Sequence, residues 1–255
     1  MTRFDKLYIQ NLYLLRFLLA WFMNILFATF FLFIRFYAEI DFPVFLIPFA
    51  VGGSGIIMLL NYKFKMRKHR YRGEYVALVE SLCEKYKMPV PKVYKKDIKY
   101  VGAMAFGSGP FAGLIFTDEL FGFNDKKIMF GVIAHELGHI KYGHSFFLVL
   151  AMGIIAALQY ALLVPFFGLS LEFAFMVVVL SLIFTFLYMY IHRVFEKQAD
   201  DLAASMEETK EGLKLFLEDY KEKYQKKGIY MEKTFLLKRL MSLHPSIKER
   251  ITNLS

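Results

Sequence analysis

The chain has 255 residues, of which 57% are hydrophobic and 18% aromatic, and its formal net charge is +9. Soluble domains are usually more polar, and the apolar residues here are clustered, which indicates a membrane protein. The basic charge does not point to nucleic acid, because its densest cluster directly follows an apolar segment, as in a cytosolic membrane anchor. The single cysteine, Cys83, excludes an intramolecular disulfide and a cysteine-rich zinc module, and we expect it in a helix core.

Four apolar segments are long enough to span a bilayer, which takes about 20 residues. The first lies between Arg16 and Arg35. It is too long for the apolar region of a signal peptide and lacks a small-residue cleavage site, so we interpret it as a retained anchor. The predicted spans are approximately 17–34, 42–60, 145–167 and 173–191.

The distribution of Lys and Arg predicts how these spans are oriented, since basic residues favour the cytosolic side. Arg3 and Lys6 precede the first span, and the segment 63–72 after the second span is strongly basic. The loop 35–41 has one Arg against two acids, and the turn 168–172 has no basic residue. We therefore expect a multi-pass plasma-membrane protein whose termini and long polar segments are cytosolic.

The cytosolic segments contain helix and strand signals. Residues 75–87 have an amphipathic helical pattern, and 93–101 and 112–117 resemble short strands with a Gly- and Pro-containing turn at 107–110. Asn124 or Asp125 can cap a helix that begins near Lys126. After the last span, 195–206 and 210–227 are predicted helices, and Pro245 begins a final helical turn.

The helix that begins near Lys126 carries the sequence His135-Glu136-Leu137-Gly138-His139. His135 and His139 are one turn apart and project from the same helix face, where two imidazoles can bind one zinc ion. Glu136 then lies beside the metal and can take a proton from a zinc-bound water. This pattern is typical of a zinc peptidase.

A catalytic zinc usually has three protein ligands and one open position. In metzincins a third His follows the second by six residues; here that position is Ser145, and His144 is one place off. A downstream Glu is the alternative, and Glu196 is the best candidate. Two spans separate it from His139, so the chain returns to the same membrane face. Asp200 follows one turn later and can hold a ligand imidazole in one tautomer.

These residues together resemble the M48 membrane zinc peptidases. The resemblance rests on HELGH with the trailing His144, on Glu196-Lys197-Gln198-Ala199-Asp200 after two spans, and on Leu243-His244-Pro245 with Arg250. The four-span layout is closest to the HtpX-type proteases, and the prenyl-protein peptidase Ste24 is a more distant relative. The similarity covers roughly residues 75–251.

The resemblance implies a mainly α membrane protein with four transmembrane helices and a small α+β zincin-like cytosolic catalytic domain. The implied parts are a first transmembrane hairpin (1–62), a cytosolic catalytic part with the HExxH helix (63–144), a second hairpin (145–191) and a cytosolic helical part with the third ligand (192–255).

The resemblance also implies residue roles. His135, His139 and Glu196 would bind one Zn²⁺ per chain, with Glu136 as general base. By the resemblance, His244 or Arg250 would contact the substrate or the developing oxyanion. From the residues themselves, Asp200 would support a ligand His, and His144 is either a helix-end residue or a support for the ligands. The segment 103–109 would form the edge strand that aligns the substrate, through Ala103, Met104, Ala105 and Phe106. The family commonly has Asn-Ala-Phe there, so Met104 replaces an amide that could hydrogen-bond the substrate.

The sequence therefore predicts a zinc endopeptidase of the cytosolic membrane face that cleaves unfolded segments, with misfolded membrane proteins as substrates and the bilayer, but no nucleic acid, as a partner. Two alternatives are a CAAX prenyl-protein peptidase, which needs a larger intramembrane cavity, and a non-catalytic scaffold with structural zinc, which would need a fourth protein ligand. A transporter is disfavoured because the spans carry only mildly polar residues.

Overall fold

The computed structural model describes residues 66, 69–97, 102–123, 125–163, 171–226 and 244–254. The first two predicted spans and residues 98–101 lie outside the described residues. The described chain forms two compact units. The hairpin unit contains residues 148–163, 171–193 and 244, and the site unit contains 66, 69–97, 102–123, 125–147, 194–226 and 245–254.

The site unit contains helix α1 (Tyr75–Lys85), whose residues Tyr75, Val79, Leu82 and Cys83 are buried. This confirms the amphipathic helix and the core position of Cys83. The helix ends before Pro89, because the chain turns at Lys87, which has a positive φ of 52°.

A three-stranded sheet follows, with strands β1 (Lys92–Lys96), β2 (Ala103–Phe106) and β3 (Gly113–Thr117). Its order is β1-β3-β2, with β1 parallel and β2 antiparallel to β3. The central strand β3 is buried along its whole length. Strand β2 lies at one edge and ends at Gly107, whose φ of 67° turns the chain. The sequence pattern alone predicted strands only where β1 and β3 lie; β2 was expected from the family resemblance.

Helix α2 (Asp118–Phe121) is a single turn, and α3 (Lys126–Lys141) follows as the central helix of the site unit. Asp125, one of the two predicted capping residues, caps α3, and its side chain accepts a hydrogen bond from the backbone N–H of Lys127 at 2.8 Å. Because α3 is buried on nearly every side between Ile128 and Ile140, it carries its charged motif residues into the core of the unit.

Two long helices follow, α4 (His144–Leu163) and α5 (Leu171–Ala203). By length and composition, His144–Leu163 and Phe175–Ala203 can cross a membrane. The sequence predicted a separate helix at 195–206, but the structure has one continuous helix through this region. The reason is local: residues 191–195 contain no Gly, Pro or capping residue that would end the span.

Helices α6 (Glu207–Lys226) and α7 (Ile247–Asn253) complete the site unit. Helix α6 crosses α3 closely, since a Cβ on Gly131 or Gly212 would collide with the backbone of the other helix. Pro245 was predicted to begin the last helical turn, and helix α7 begins two residues after it; Ser246 caps α7 by accepting a hydrogen bond from the N–H of Glu249 at 3.1 Å. The last helix is thus fixed against the core, where Leu254 is buried.

Candidate metal centre

The structure brings the three predicted ligands together within the site unit. His135 and His139 project from α3, and Glu196 projects from α5. The two Nε2 atoms are 3.3 Å apart. Glu196 Oε2 lies 3.6 Å from Nε2 of His135, and Oε1 lies 3.4 Å from Nε2 of His139. The buried Glu196 carboxylate therefore faces both imidazoles.

These separations suit a tetrahedral zinc ion. With metal–ligand distances of about 2.0–2.1 Å, two ligands of a tetrahedral site lie about 3.3–3.4 Å apart. The three observed separations are close to that value. Two imidazoles and a carboxylate are also a donor set that zinc uses in catalytic sites, where the fourth position is left to water. The residues present thus fit the metal that the sequence predicts.

Glu136 lies next to the ligand cluster and is held by the edge of the sheet. Its Oε2 accepts a hydrogen bond from the backbone N–H of Ala105 at 2.6 Å. Burial, with a contribution from the nearby Glu196 carboxylate, raises the pKa of Glu136 above its ordinary value. A carboxyl group with a raised pKa is better suited to exchanging protons near neutral pH than an exposed glutamate.

Asp200, supported by Arg250, contacts His135 on the ring nitrogen that faces away from the other candidate ligands. The Nδ1 atom of His135 lies 2.8 Å from Oδ1 of Asp200. Arg250 donates to the same carboxylate through Nε to Oδ2 at 2.8 Å and Nη2 to Oδ1 at 2.7 Å. Because the carboxylate only accepts, Nδ1 of His135 carries a proton, and in the neutral ring Nε2 presents its lone pair to the metal position.

Opposing effects act on His135. Burial and the positive charge of Arg250 lower its pKa, but the carboxylates of Asp200 and Glu196 outweigh them, so the pKa is raised above the ordinary value. A metal ion must displace the additional proton from this ring. Metal binding at this site is therefore expected to weaken as the pH falls.

His144 and Gln198 form a similar chain behind the second ligand. Nδ1 of His144 lies 2.8 Å from Nδ1 of His139, and Nε2 of His144 lies 3.0 Å from Oε1 of Gln198. The ring of Phe195 stacks on His144, with centroids 4.4 Å apart. If His139 offers Nε2 to a metal, its Nδ1–H donates to His144, whose Nε2–H then donates to Gln198.

Close helix packing sets the distance between the ligands. A Cβ on Gly138 would lie 2.8 Å from Cα of Ala199, so α3 and α5 approach each other at this point through the absence of a side chain. Gly138 is within the HELGH motif, and Ala199 lies between Glu196 and Asp200. The glycine thus allows residues of both helices to reach the same small volume.

The other predicted site residues lie in different places. Ala103, Met104, Ala105 and Phe106 form β2, at the edge beside Glu136. His244 belongs to the hairpin unit, where its ring centroid lies 5.5 Å from that of His192. Sequence reasoning did not identify the contacts of Gln198 and Gly138. The only available signal was their position inside the two motifs.

Comparison with known proteins identifies the family to which the chain belongs. A model of peptidase family M48 matches residues 71–255, so the chain belongs to that family. Among curated proteins, the protease HtpX homolog of Thermodesulfovibrio yellowstonii is 32% identical over 113 residues, covering 44% of this chain and 40% of the relative. The HtpX homolog of Thermoplasma volcanium is 28% identical over 169 residues, covering 62% of this chain and 54% of the relative. The chain thus matches about half the length of these relatives or less.

A solved structure has the same overall fold. The crystal structure of S. mikatae Ste24p aligns with a TM-score of 0.67 and 21% sequence identity, covering 97% of this chain and 65% of that one. The chain is therefore a member of peptidase family M48 that is similar to HtpX homologs, with a mostly helical fold like that of Ste24p. The His135, His139 and Glu196 group could hold a metal ion.

Proposed function

We propose that this protein is an integral-membrane zinc endopeptidase that hydrolyses unfolded or misfolded proteins at the cytosolic face of the plasma membrane. The main supporting observation is that Glu136 lies beside the His135, His139 and Glu196 cluster and also accepts a hydrogen bond from the edge strand β2. A general base, a metal position and a strand edge that can bind a peptide backbone therefore adjoin one another. These are the parts that peptide hydrolysis needs.

His135, His139 and Glu196 would hold the ion. When bound, zinc acts as a Lewis acid that acidifies water and polarises a carbonyl group. Glu136 accepts the proton of the attacking water and then delivers it to the leaving nitrogen of the cleaved bond. Because its buried carboxyl has a raised pKa, Glu136 can carry that proton between the two steps.

The surrounding residues position the ligands. Asp200 holds His135 in the tautomer that presents Nε2, and His144 with Gln198 does the same for His139. Arg250 uses two of its donors on Asp200, which favours a positioning role over the substrate or oxyanion contact that the family resemblance implied for His244 or Arg250. Contact of His244 with the substrate or oxyanion stays a prediction.

Strand β2 would align the substrate. Its backbone groups at Ala103 and Ala105 face away from β3, as the pairing register and the contact of Ala105 with Glu136 indicate. An extended substrate can add to this edge as another strand, which fixes the scissile carbonyl mainly through backbone hydrogen bonds. Such binding accepts many sequences, provided that the segment is unfolded. The proposed location favours membrane proteins with misfolded cytosolic parts.

The direct test is cleavage of an unfolded, unmodified protein by the purified chain in detergent. We expect activity that a zinc chelator removes and that added zinc restores, and we expect Glu196→Gln to lose most of it. Preferential cleavage of a farnesylated peptide over its unmodified form would instead support a prenyl-protein peptidase. Tightly bound zinc without hydrolysis of any substrate would support a non-catalytic scaffold.

A further inference from the structure

The side chains along β2 differ in size and in solvent exposure, and this difference affects which substrates can bind. Ala103 and Ala105 are small and pack toward the main core of the site unit, which contains α3. Phe106 is buried in a separate cluster with Met66, Tyr94 and Ile115. Met104 lies on the same face of the strand as Phe106, because side chains alternate, but its side chain is 40% exposed. Met104 is thus the large side chain that β2 presents to solvent.

The register of the sheet determines what a strand added at this edge would meet. Thr117 donates from its backbone N–H to the carbonyl oxygen of Gly102 at 3.1 Å. The hydrogen-bonded pairs along β2 and β3 are therefore Gly102 with Thr117, Met104 with Ile115 and Phe106 with Gly113. The backbone groups of Met104 are directed at Ile115, whereas those of Ala103 and Ala105 are directed outward.

The N–H of Ala105 already donates to Glu136, so a substrate strand would take its backbone hydrogen bonds from the N–H and carbonyl of residue 103 and from the carbonyl of residue 105. Its side-chain contact would come from residue 104. An antiparallel substrate residue opposite Met104 would form a pair without hydrogen bonds, in which the Cα atoms lie about 4.5 Å apart and the side chains are closest. The unbranched thioether of Met104 can adapt to apolar partners of different shape. It offers no charge or strong hydrogen-bonding group to a polar partner.

We propose that Met104 is a specificity-determining residue, which selects for a large apolar substrate side chain at the single position opposite it. The proposal rests on the peptidase function and on substrate addition at β2, and it refines the expectation of broad specificity. Substrate positions opposite Ala103 and Ala105 accept many residue types. At the position opposite Met104, a charged residue lowers kcat/KM by about three- to tenfold.

The test is a map of cleavage sites. Unfolded proteins are digested with the zinc-loaded, full-length enzyme in detergent, and the residues around each cut are counted by mass spectrometry. Wild type should show enrichment of Leu, Met and Phe at one fixed distance from the cut. Met104→Leu should keep that enrichment, Met104→Glu should shift it toward Lys and Arg, and Met104→Lys should shift it toward Asp and Glu.

A matched control is Val90→Glu, which places the same charge on another exposed apolar residue. It lies just before β1, at the opposite edge of the sheet, so the cleavage map should not change. Zinc affinity and thermal unfolding are measured for every variant, to show that each retains the folded site. If the Met104→Glu and Met104→Lys maps equal the wild-type map, the proposal is wrong although the peptidase function stands. If wild type shows no zinc-dependent cleavage, both fail.

Discussion

Arg250 binds Asp200 through two parallel hydrogen bonds, Nε to Oδ2 at 2.8 Å and Nη2 to Oδ1 at 2.7 Å, although the residues are 50 positions apart. Both side chains are largely buried. Asp200 also contacts Nδ1 of His135 at 2.8 Å, so the short C-terminal helix α7 is linked to a candidate metal ligand through one carboxylate. Planar two-point binding of this kind is specific to arginine.

Replacing Arg250 should therefore weaken zinc binding. In Arg250→Ala, the buried Asp200 carboxylate loses its main partner and no longer fixes the His135 ring, so we expect zinc affinity to fall about tenfold or more. Arg250→Lys should restore little of it, because an ammonium group cannot make both bonds. Competition with a chelator measures the affinity.

Lys248→Ala is the matched control, since this exposed residue lies on the same helix. Its zinc affinity should equal that of wild type. Unchanged zinc affinity in Arg250→Ala would contradict the positioning role.

Gly138 should be intolerant of even one added methyl group. The Cβ of Gly138→Ala would lie 2.8 Å from Cα of Ala199, which forces α3 and α5 apart. We expect a loss of about 1–3 kcal/mol in the free energy of unfolding, together with weaker zinc binding because Glu196 moves with α5. Chemical denaturation and chelator competition measure the two effects. Equal stability and zinc affinity in wild type and variant would show that the close approach of Gly138 to Ala199 does not control the spacing of α3 and α5.

The side-chain oxygen of Gln198, which accepts a hydrogen bond from His144, should contribute to zinc affinity. Gln198→Met keeps the length of the side chain but cannot accept from His144, so the tautomers of His144 and His139 are no longer fixed. Zinc affinity should fall by a few fold, since water can partly replace the amide at this exposed position. Gln198→Glu keeps an acceptor and should bind zinc at least as tightly as Gln198→Met.

The neighbouring exposed residue provides the control, because Lys197→Met makes a comparable change without touching His144. If Gln198→Met and Lys197→Met bind zinc equally well, the chain from Gln198 to His139 has no influence on the metal.

Cys83 should be unreactive in the folded protein. Burial, and to a smaller extent Glu80, raises the pKa of its thiol from 9.0 to about 11. The folded protein thus keeps a proton that the unfolded chain loses between these values, and stability contributed by the neutral thiol is lost as the pH rises from 9 toward 11. At pH 8, alkylation should be at least about a hundredfold slower than in denaturant. Equal rates would show that α1 is not packed as described.

The sequence predicted well those features that depend on local signals. Asp125 as a cap, the helix after it and the one-turn spacing of His135 and His139 all follow from short-range geometry. The number of spans between His139 and Glu196 added one long-range inference, and the structure places these residues side by side.

Contacts between segments that are distant in the chain could not be predicted from local sequence signals. Neither the antiparallel placement of β2 beside β3 nor the pairing of Arg250 with Asp200 has a local signal, because each depends on how separate elements pack. The boundary between the last span and the following helix was misplaced, since the change in polarity near residue 192 does not interrupt the backbone. Polarity marks where a helix changes environment, but only a cap or a helix breaker ends it.

The central claim is that Glu136 transfers protons at the metal site without being one of the metal ligands. The most direct measurement compares Glu136→Gln with wild type for both bound zinc and the rate of cleavage of an unfolded protein. We predict one zinc per chain in both proteins and a cleavage rate reduced by about 10²–10⁴-fold in the variant. Cleavage by Glu136→Gln at the wild-type rate, with zinc bound, would contradict the account.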